Sequence, residues 1–519
     1  MRKGFVVPGF VPALLLVFLC LSIMGCVERG PPTLASPNPF SSVTPQPSGA
    51  LVTESKNLKS FKSWKEIALF ASASSSGYGG RYYGEAMPMM APNAKALTTD
   101  ASAGGSAADY STTNVQVEGV DEADVVKNDG KYIYAVGATD YSYADCGPWA
   151  ECVSTQSEKG KIVVMQAFPP SEAKIVSTIR VDGAVSEIFV YGDKLVAFGS
   201  RDSREFPLID IPDFPVATAA PLEKIASDIG ILPGRYPPYY YDRVAFVEVY
   251  DVSDKANPKK LKSFEVKGNY VQSRMIDGRV YGVFNENVYP DYPVPLYAVD
   301  GVAREIAPTE IKYFDWPSDY YNFQIFLGFD LNSLEKQESR KVIMAGYSQN
   351  IYASKNAFYL TNTRYDYYSP QWEAYRDVYW TMFPSDVKEK IAAVDAADFP
   401  AWAKERIKAG IASRTVYESI NYSSDAQRDE LAQRFYQKIE ALSRSYALNA
   451  EKTVINKIAL TSDGGFVFAA SGEVPGHALN QFSMDESEGY FRIATTAGQL
   501  SRSGSTTSNN LYVLDSGLK

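Results

Sequence analysis

Five carboxylates crowd one short stretch of this chain: Glu118, Asp121, Glu122, Asp124 and Asp129. A cluster of that density is what a hard cation such as calcium requires. The spacing does not reproduce the alternating oxygen ligands of a DxDxDG loop, and in an extended strand neighbouring side chains point to opposite faces. The stretch therefore reads as a solvated strand and turn, with calcium the one cofactor left open. His477 is the only histidine, so a multi-histidine metal centre cannot form around it. No GxSxG elbow, Walker loop, dinucleotide fingerprint or HExxH accompanies it. On these grounds no catalytic residue and no metal-ligand set is assigned.

Composition narrows the partners. The 519 residues carry a formal charge of -10, which argues against a nucleic-acid footprint, because phosphate binding needs clustered Lys and Arg. There are 36 Tyr and 30 Pro, and they share loops such as YPPYYY (236–241) and YPDYPVP (289–295). Tyrosine in such loops packs and rims them; aromatic recognition of a sugar or peptide is the sharper reading. Asn421-Tyr422-Ser423 is a glycosylation sequon in a region expected to be exposed.

The amino end indicates compartment. Arg2 and Lys3 precede an apolar run over 5–26, the pattern of an export signal, and its end, Ile23-Met24-Gly25-Cys26, resembles the lipobox of prokaryotic lipoproteins. Cys26 is thus the expected site of lipid attachment, with an uncleaved signal anchor over 1–26 as the competitor. Either would place the rest of the chain outside the cytoplasm at the membrane. There Cys146 and Cys152 read as a disulfide closing a short loop. Residues 27–57 are rich in Pro and Ser and read as a disordered tether. Leu58, Phe61, Trp64 and Ala68 recur near helical spacing, so 58–71 predicts a short helix, and 72–109 is a low-complexity linker.

Ordered structure is expected from 110–519. The stretch YSTTNVQVEGVDEADVVKNDGKYIYAV (110–136) alternates apolar and polar residues and turns at Asp129-Gly130. Its grammar then recurs from Gly183, Gly268, Gly346 and Gly476: a Gly, an alternating strand, a turn, a second strand, a variable insertion, a third strand ending near Asp, and a fourth. Setting aside insertions at 206–242, 286–320 and 364–448, the first three repeats reduce to 48, 43 and 45 residues, the length of a four-stranded propeller blade. The fold class is therefore all-β, a β-propeller of about five units, interrupted by a helical insertion at 384–448. Within it Val387, Ile391 and Val394, then Ala403, Ile407 and Ile411, then Leu431, Phe435, Ile439 and Leu442 predict three helices, the last opened by a capping box at Ser424. The insertions should crowd one face, and the helices should pack on it. On the same face the repeat alignment places His477, Asn269, Tyr270 and Tyr347, the candidate binding patch.

The 110–136 stretch and GHALNQFSMDESEGYFRIATT from Gly476 resemble the prokaryotic secreted proteins with a C-terminal beta-propeller domain, distantly related to WD40 repeats. The resemblance covers 58–519. It implies an exported propeller and brings no catalytic residues. The pattern of that family continues past YVLDSGLK with further blades, whereas Lys519 follows the third strand of the fifth unit; the expectation is a truncated or frameshifted sequence, or completion by another chain. Functionally the sequence suggests a membrane-anchored, extracytoplasmic binding module for a surface protein or glycan. A carboxylate- or metal-dependent hydrolase or lyase on the same scaffold is the alternative.

Overall fold

A computed structural model describes residues 55, 58–75, 115–142, 157–202, 243–288, 294–314, 321–346, 348, 350–365, 371–396, 401–418, 420–446, 451–501 and 504–519. Each expected unit forms one antiparallel meander. The first is β3 (Val126–Asn128), β4 (Tyr132–Ser142), β5 (Ser157–Gln166) and β6 (Lys174–Asp182). The second is β7 (Ala184–Tyr191), β8 (Lys194–Asp202), β9 (Arg243–Asp251) and β10 (Lys259–Lys267). The third is β11 (Asn269–Ile276), β12 (Arg279–Asn287), β16 (Tyr321–Asp330) and β17 (Ser339–Gly346). The fourth is β18 (Asn350–Ala353), β19 (Ala357–Tyr365), β20 (Glu451–Leu460) and β21 (Phe466–Pro475). Three strands make the fifth: β22 (Met484–Ser487), β23 (Tyr490–Ser501) and β24 (Gly504–Leu514).

Apolar seams join the sheets in chain order. Ile162 and Val164 meet Ile188 and Leu195 between the first two sheets. Phe198 and Val247 meet Phe284 and Ile325 between the second and third. Val283 and Phe326 meet Phe358 and Leu360 between the third and fourth. Tyr359 stacks on Phe491 at 4.1 Å between the last two. Val126 and Ile175 on the outward side of the first sheet, and Leu511 and Val513 on that of the fifth, stay exposed.

The recurrent residues have local physical causes. The N–H of Gly268 donates to the Arg243 carbonyl at 2.8 Å, and that of Gly476 to the Glu451 carbonyl at 2.8 Å, each latching a crossing to the start of the preceding third strand. Their φ angles are +112° and +85°, and a Cβ would lie 2.3 Å from the Asn285 oxygen or 2.6 Å from the Thr496 oxygen, so only glycine fits. The Asp that closes third strands caps the following turn: Asp251 Oδ1 accepts from the Ser253 N–H, and Asp330 Oδ1 from the Asn332 N–H, both at 2.8 Å.

All the insertions leave between second and third strands, but they do not all crowd one face. In the third unit β13 (Leu296–Val299) and β14 (Val302–Glu305) extend the outer edge of the second sheet, while β15 (Ile311–Phe314) pairs parallel with β17 at the outer edge of the third. The segment 58–71 is also more than a helix: β1 (Leu58–Ser60) pairs with β15, then α1 (Trp64–Ser75) follows. Its first turn is capped by Ser63, whose Oγ accepts from the Glu66 N–H at 3.2 Å, while the Glu66 carboxylate accepts from the Lys62 N–H at 2.6 Å.

The helical insertion holds four described α-helices rather than three, and begins earlier than residue 384: α2 (Gln371–Tyr379), α3 (Ser385–Ala396), α4 (Ala401–Glu418) and α5 (Asp425–Tyr446). Trp372, Ala374 and Tyr379 of α2 are buried, and the aromatic residues Trp372 and Tyr379 disguise a helix as one more tyrosine-rich loop. Ser424 caps α5 as expected, the Gln427 N–H reaching its Oγ at 3.2 Å, but the Gln427 side chain accepts from the Ser423 N–H at 2.7 Å, one residue before the one a capping box uses. The four helices have their own apolar core. Trp402 links them to α1 through Phe70 at 5.4 Å, and to the third sheet through Tyr321 at 6.4 Å. Among the described residues no helix is long and apolar enough to cross a membrane; the run at 5–26 lies outside them.

Candidate functional site

The acidic opening stretch lies along the axis on which the sheets converge. Gln116 Nε2 donates to the Gln481 and Met484 carbonyls at 3.1 and 3.2 Å, so residue 116 touches the fifth sheet. Val117 packs into the seams on both sides of the fourth sheet, and Val120 is buried in the seam between the third and fourth. β2 (Asp121–Glu122) pairs with the inner strand β11 of the third sheet. Asp124 exchanges backbone hydrogen bonds with Ile188 of the second sheet, at 3.2 and 2.8 Å. Val126 then begins the first sheet. One segment of 13 residues thus meets all five sheets.

Its carboxylates are divided among separate partners. Lys127, only 7% exposed, reaches Asp121 Oδ1 at 2.8 Å and the Glu122 carbonyl at 2.6 Å. Glu122 pairs with buried Arg274 at 3.4 Å, and burial lowers the pKa of that guanidinium against the opposing pull of Glu122. Asp129 Oδ1 accepts from the N–H groups of Lys131 and Tyr132 at 3.1 and 2.7 Å, and its Oδ2 from the Tyr134 hydroxyl at 2.9 Å. Glu118 sits exposed in a turn. Among the described residues no three His, Cys, Asp or Glu side chains gather as a metal-ligating group. The density of carboxylates that raised calcium belongs to an axial segment that meets a different neighbour at almost every residue.

Of the candidate patch, His477 and Asn269 begin the crossings at the insertion-bearing ends of the strands. His477 bridges through its backbone to Thr496, and its half-exposed ring places Nδ1 3.0 Å from Glu451 Oε1. Asn269 is exposed. Tyr270 turns inward: its hydroxyl donates to Glu187 at 2.8 Å and lies 2.8 Å from Ser273 Oγ, while its ring stacks on Phe198 at 4.9 Å. Burial, then the Glu187 charge, pushes its pKa well above the ordinary tyrosine value. Tyr347 lies outside the described residues. The structure adds neighbours that sequence reasoning passed over. Between His477 and β22, a 3-10 turn (Gln481–Ser483) crosses toward the axis, where Gln272 Nε2 of β11 donates to Gln481 Oε1 at 2.8 Å. Beside this amide contact Leu479 and Phe482 are 76% and 71% exposed. Their signal was present in GHALNQFSMDE, where an apolar residue falls at each of two positions that fit no strand alternation.

Among the described residues, charged groups at this end pair with one another. Arg243 grips Glu158 with two bonds of 3.0 and 2.7 Å, joining the first two sheets. Glu473 binds Lys452 at 2.6 Å and Arg364 at 2.9 Å in the fourth. Five sheets share one axial segment. A family model described as a beta propeller domain matches residues 110–519. The chain belongs to the beta propeller domain family. An uncharacterized protein of Archaeoglobus fulgidus is 26% identical over 415 residues, covering 79% of this chain and 55% of that protein. Uncharacterized protein MJ1554 of Methanocaldococcus jannaschii is 25% identical over 504 residues, covering 95% of this chain and 65% of that protein. The chain therefore spans less than two thirds of the length of either relative.

On this propeller the remaining expectations fall as follows. Asn421 is exposed in the link between α4 and α5, as a modified asparagine requires. Cys26, Cys146 and Cys152 lie outside the described residues, as do nearly all of the 72–109 linker and all of the tether except Ser55, whose N–H donates to the Phe468 carbonyl at 2.8 Å.

Proposed function

We propose that this propeller is an exported binding module, and that its ligand docks across the axial mouth at the insertion-bearing end. The ligand class we favour is an uncharged, hydroxyl-rich polymer, that is, a surface glycan. The observation that carries the reading is the exposure of Phe482 and Leu479 (71% and 76%) beside the amides of Gln116, Gln272 and Gln481. An exposed aromatic ring offers a flat apolar surface to a sugar, and planar amides offer both donors and acceptors to its hydroxyls. The neighbouring ions pair with one another, at Arg243–Glu158 and Glu473–Lys452, and Glu451 meets the His477 ring, which favours a neutral ligand over a charged one. With the opening stretch along the axis, a ligand lies across the mouth and does not thread it. Export and membrane attachment rest on Arg2, Lys3, the apolar run at 5–26 and the lipobox-like Cys26.

One experiment tests both parts. Prokaryotic cells expressing the full chain are incubated, intact and after lysis, with fluorescently labelled neutral polysaccharides. Intact cells with the wild-type chain should bind a polysaccharide, and cells with the double variant Leu479→Ser/Phe482→Ser should bind at least about tenfold less, the loss expected when two apolar anchors are removed. Binding by lysates but not by intact cells refutes the export reading, and binding unchanged in the variant refutes the site.

A further inference from the structure

Asn285 of β12 and Gln324 of β16 stand directly opposite each other on adjacent strands of the third sheet. They lie one inward-facing position beyond Val283 and Phe326, which belong to the apolar seam with the fourth sheet. The seam is thus apolar along most of its height and turns to amides near the insertion-bearing end. Asn285 is 2% exposed and Gln324 0%. The Gln324 nitrogen is satisfied, donating to the Gly346 carbonyl at 2.7 Å and to Ser348 Oγ. Its oxygen Oε1 is not, and neither the oxygen nor the nitrogen of Asn285 has a protein partner. Buried polar atoms without partners are rare in native proteins because each retains its full desolvation cost.

Two acceptors and one amide donor in one enclosed spot match the bonding capacity of water, which donates twice and accepts. A cation fits poorly. Glu286, the next residue along β12, points to the opposite face of the sheet, where it pairs with Lys267 at 3.5 Å, so the amide oxygens have no carboxylate beside them from this strand. We propose that Asn285 and Gln324 form an internal hydration site between the third and fourth sheets, with at least one ordered water joining the Asn285 side chain to Gln324 Oε1. The site satisfies the polar end of the seam close to the mouth while leaving the seam below it apolar.

A crystal structure of the full chain at a resolution that shows ordered solvent tests this directly. The expected result is density for water within about 3 Å of Gln324 Oε1 and an Asn285 side-chain atom. Two results would overturn it: an Asn285 amide that donates straight to Gln324 Oε1 with no density between them, or a bound ion with contacts of about 2.4 Å. In solution, Asn285→Asp supplies a second measurement. A carboxyl in this enclosed, neutral site should lower the melting temperature more at pH 8 than at pH 4, whereas equal lowering at both would mean the spot is open to bulk solvent and would refute the site.

Discussion

Glu187 reaches from β7 into the seam between the second and third sheets, where it receives the Tyr270 hydroxyl and faces Arg274, with Asp124 and Glu122 also near. Burial raises its pKa above the usual glutamate value, outweighing the Tyr270 hydrogen bond and the Arg274 charge, which both lower it. A carboxyl whose folded pKa exceeds its unfolded one holds its proton more tightly when folded. Its contribution to stability is therefore complete below about pH 4.3 and is lost as pH rises through the folded value. Glu187→Gln should gain stability relative to wild type between pH 4 and pH 7, as read from urea melts of both proteins. A relative gain that shrinks over that interval would contradict the assignment. The Glu187–Tyr270 contact was not legible in the sequence. The repeat alignment placed Tyr270 at the right end of the right strand, but a bulge between Tyr270 and Gln272 lies at this point in β11, and alternation cannot fix orientation across such an irregularity.

At the scale of elements, α1 joins three parts of the chain through one aromatic cluster. Phe70 is 4% exposed and meets Phe61 at 5.5 Å, Tyr313 at 4.9 Å, Tyr321 at 5.1 Å and Trp402 at 5.4 Å. Phe70→Ala should cost about 3 to 5 kcal/mol, the range for a buried Phe replaced by Ala. Denaturant unfolding checks it, and a loss below about 1 kcal/mol would mean that α1 is not docked as described. The helix itself was readable from its apolar spacing, and the blades from their Gly, turn and Asp punctuation, because those features are local. What escaped was non-local. β1 has three residues and exists only because β15 offers it an edge. The strands β13 to β15 gave no sign in the sequence that they extend two different sheets. In α2 the Trp and Tyr residues carry the buried face, so its composition resembled the surrounding loops although Trp372, Tyr375 and Tyr379 keep helical spacing.

Across the whole molecule the opening stretch changes meaning. Five carboxylates in one short run suggested ion binding or a solvated turn, and in the fold the segment is the axial element shared by every sheet. That arrangement explains why Lys127 and Arg274 are buried, since each neutralises a carboxylate that the axis encloses. The most direct test is amide hydrogen exchange by mass spectrometry on the full chain, comparing a peptide covering 119–128 with one covering β20. Exchange of 119–128 on the slow timescale of β20 is the predicted result, because its backbone is paired with β7, β11 and β4. Exchange as fast as that of the exposed turn at Glu488-Gly489 would contradict the axial placement on which the account rests.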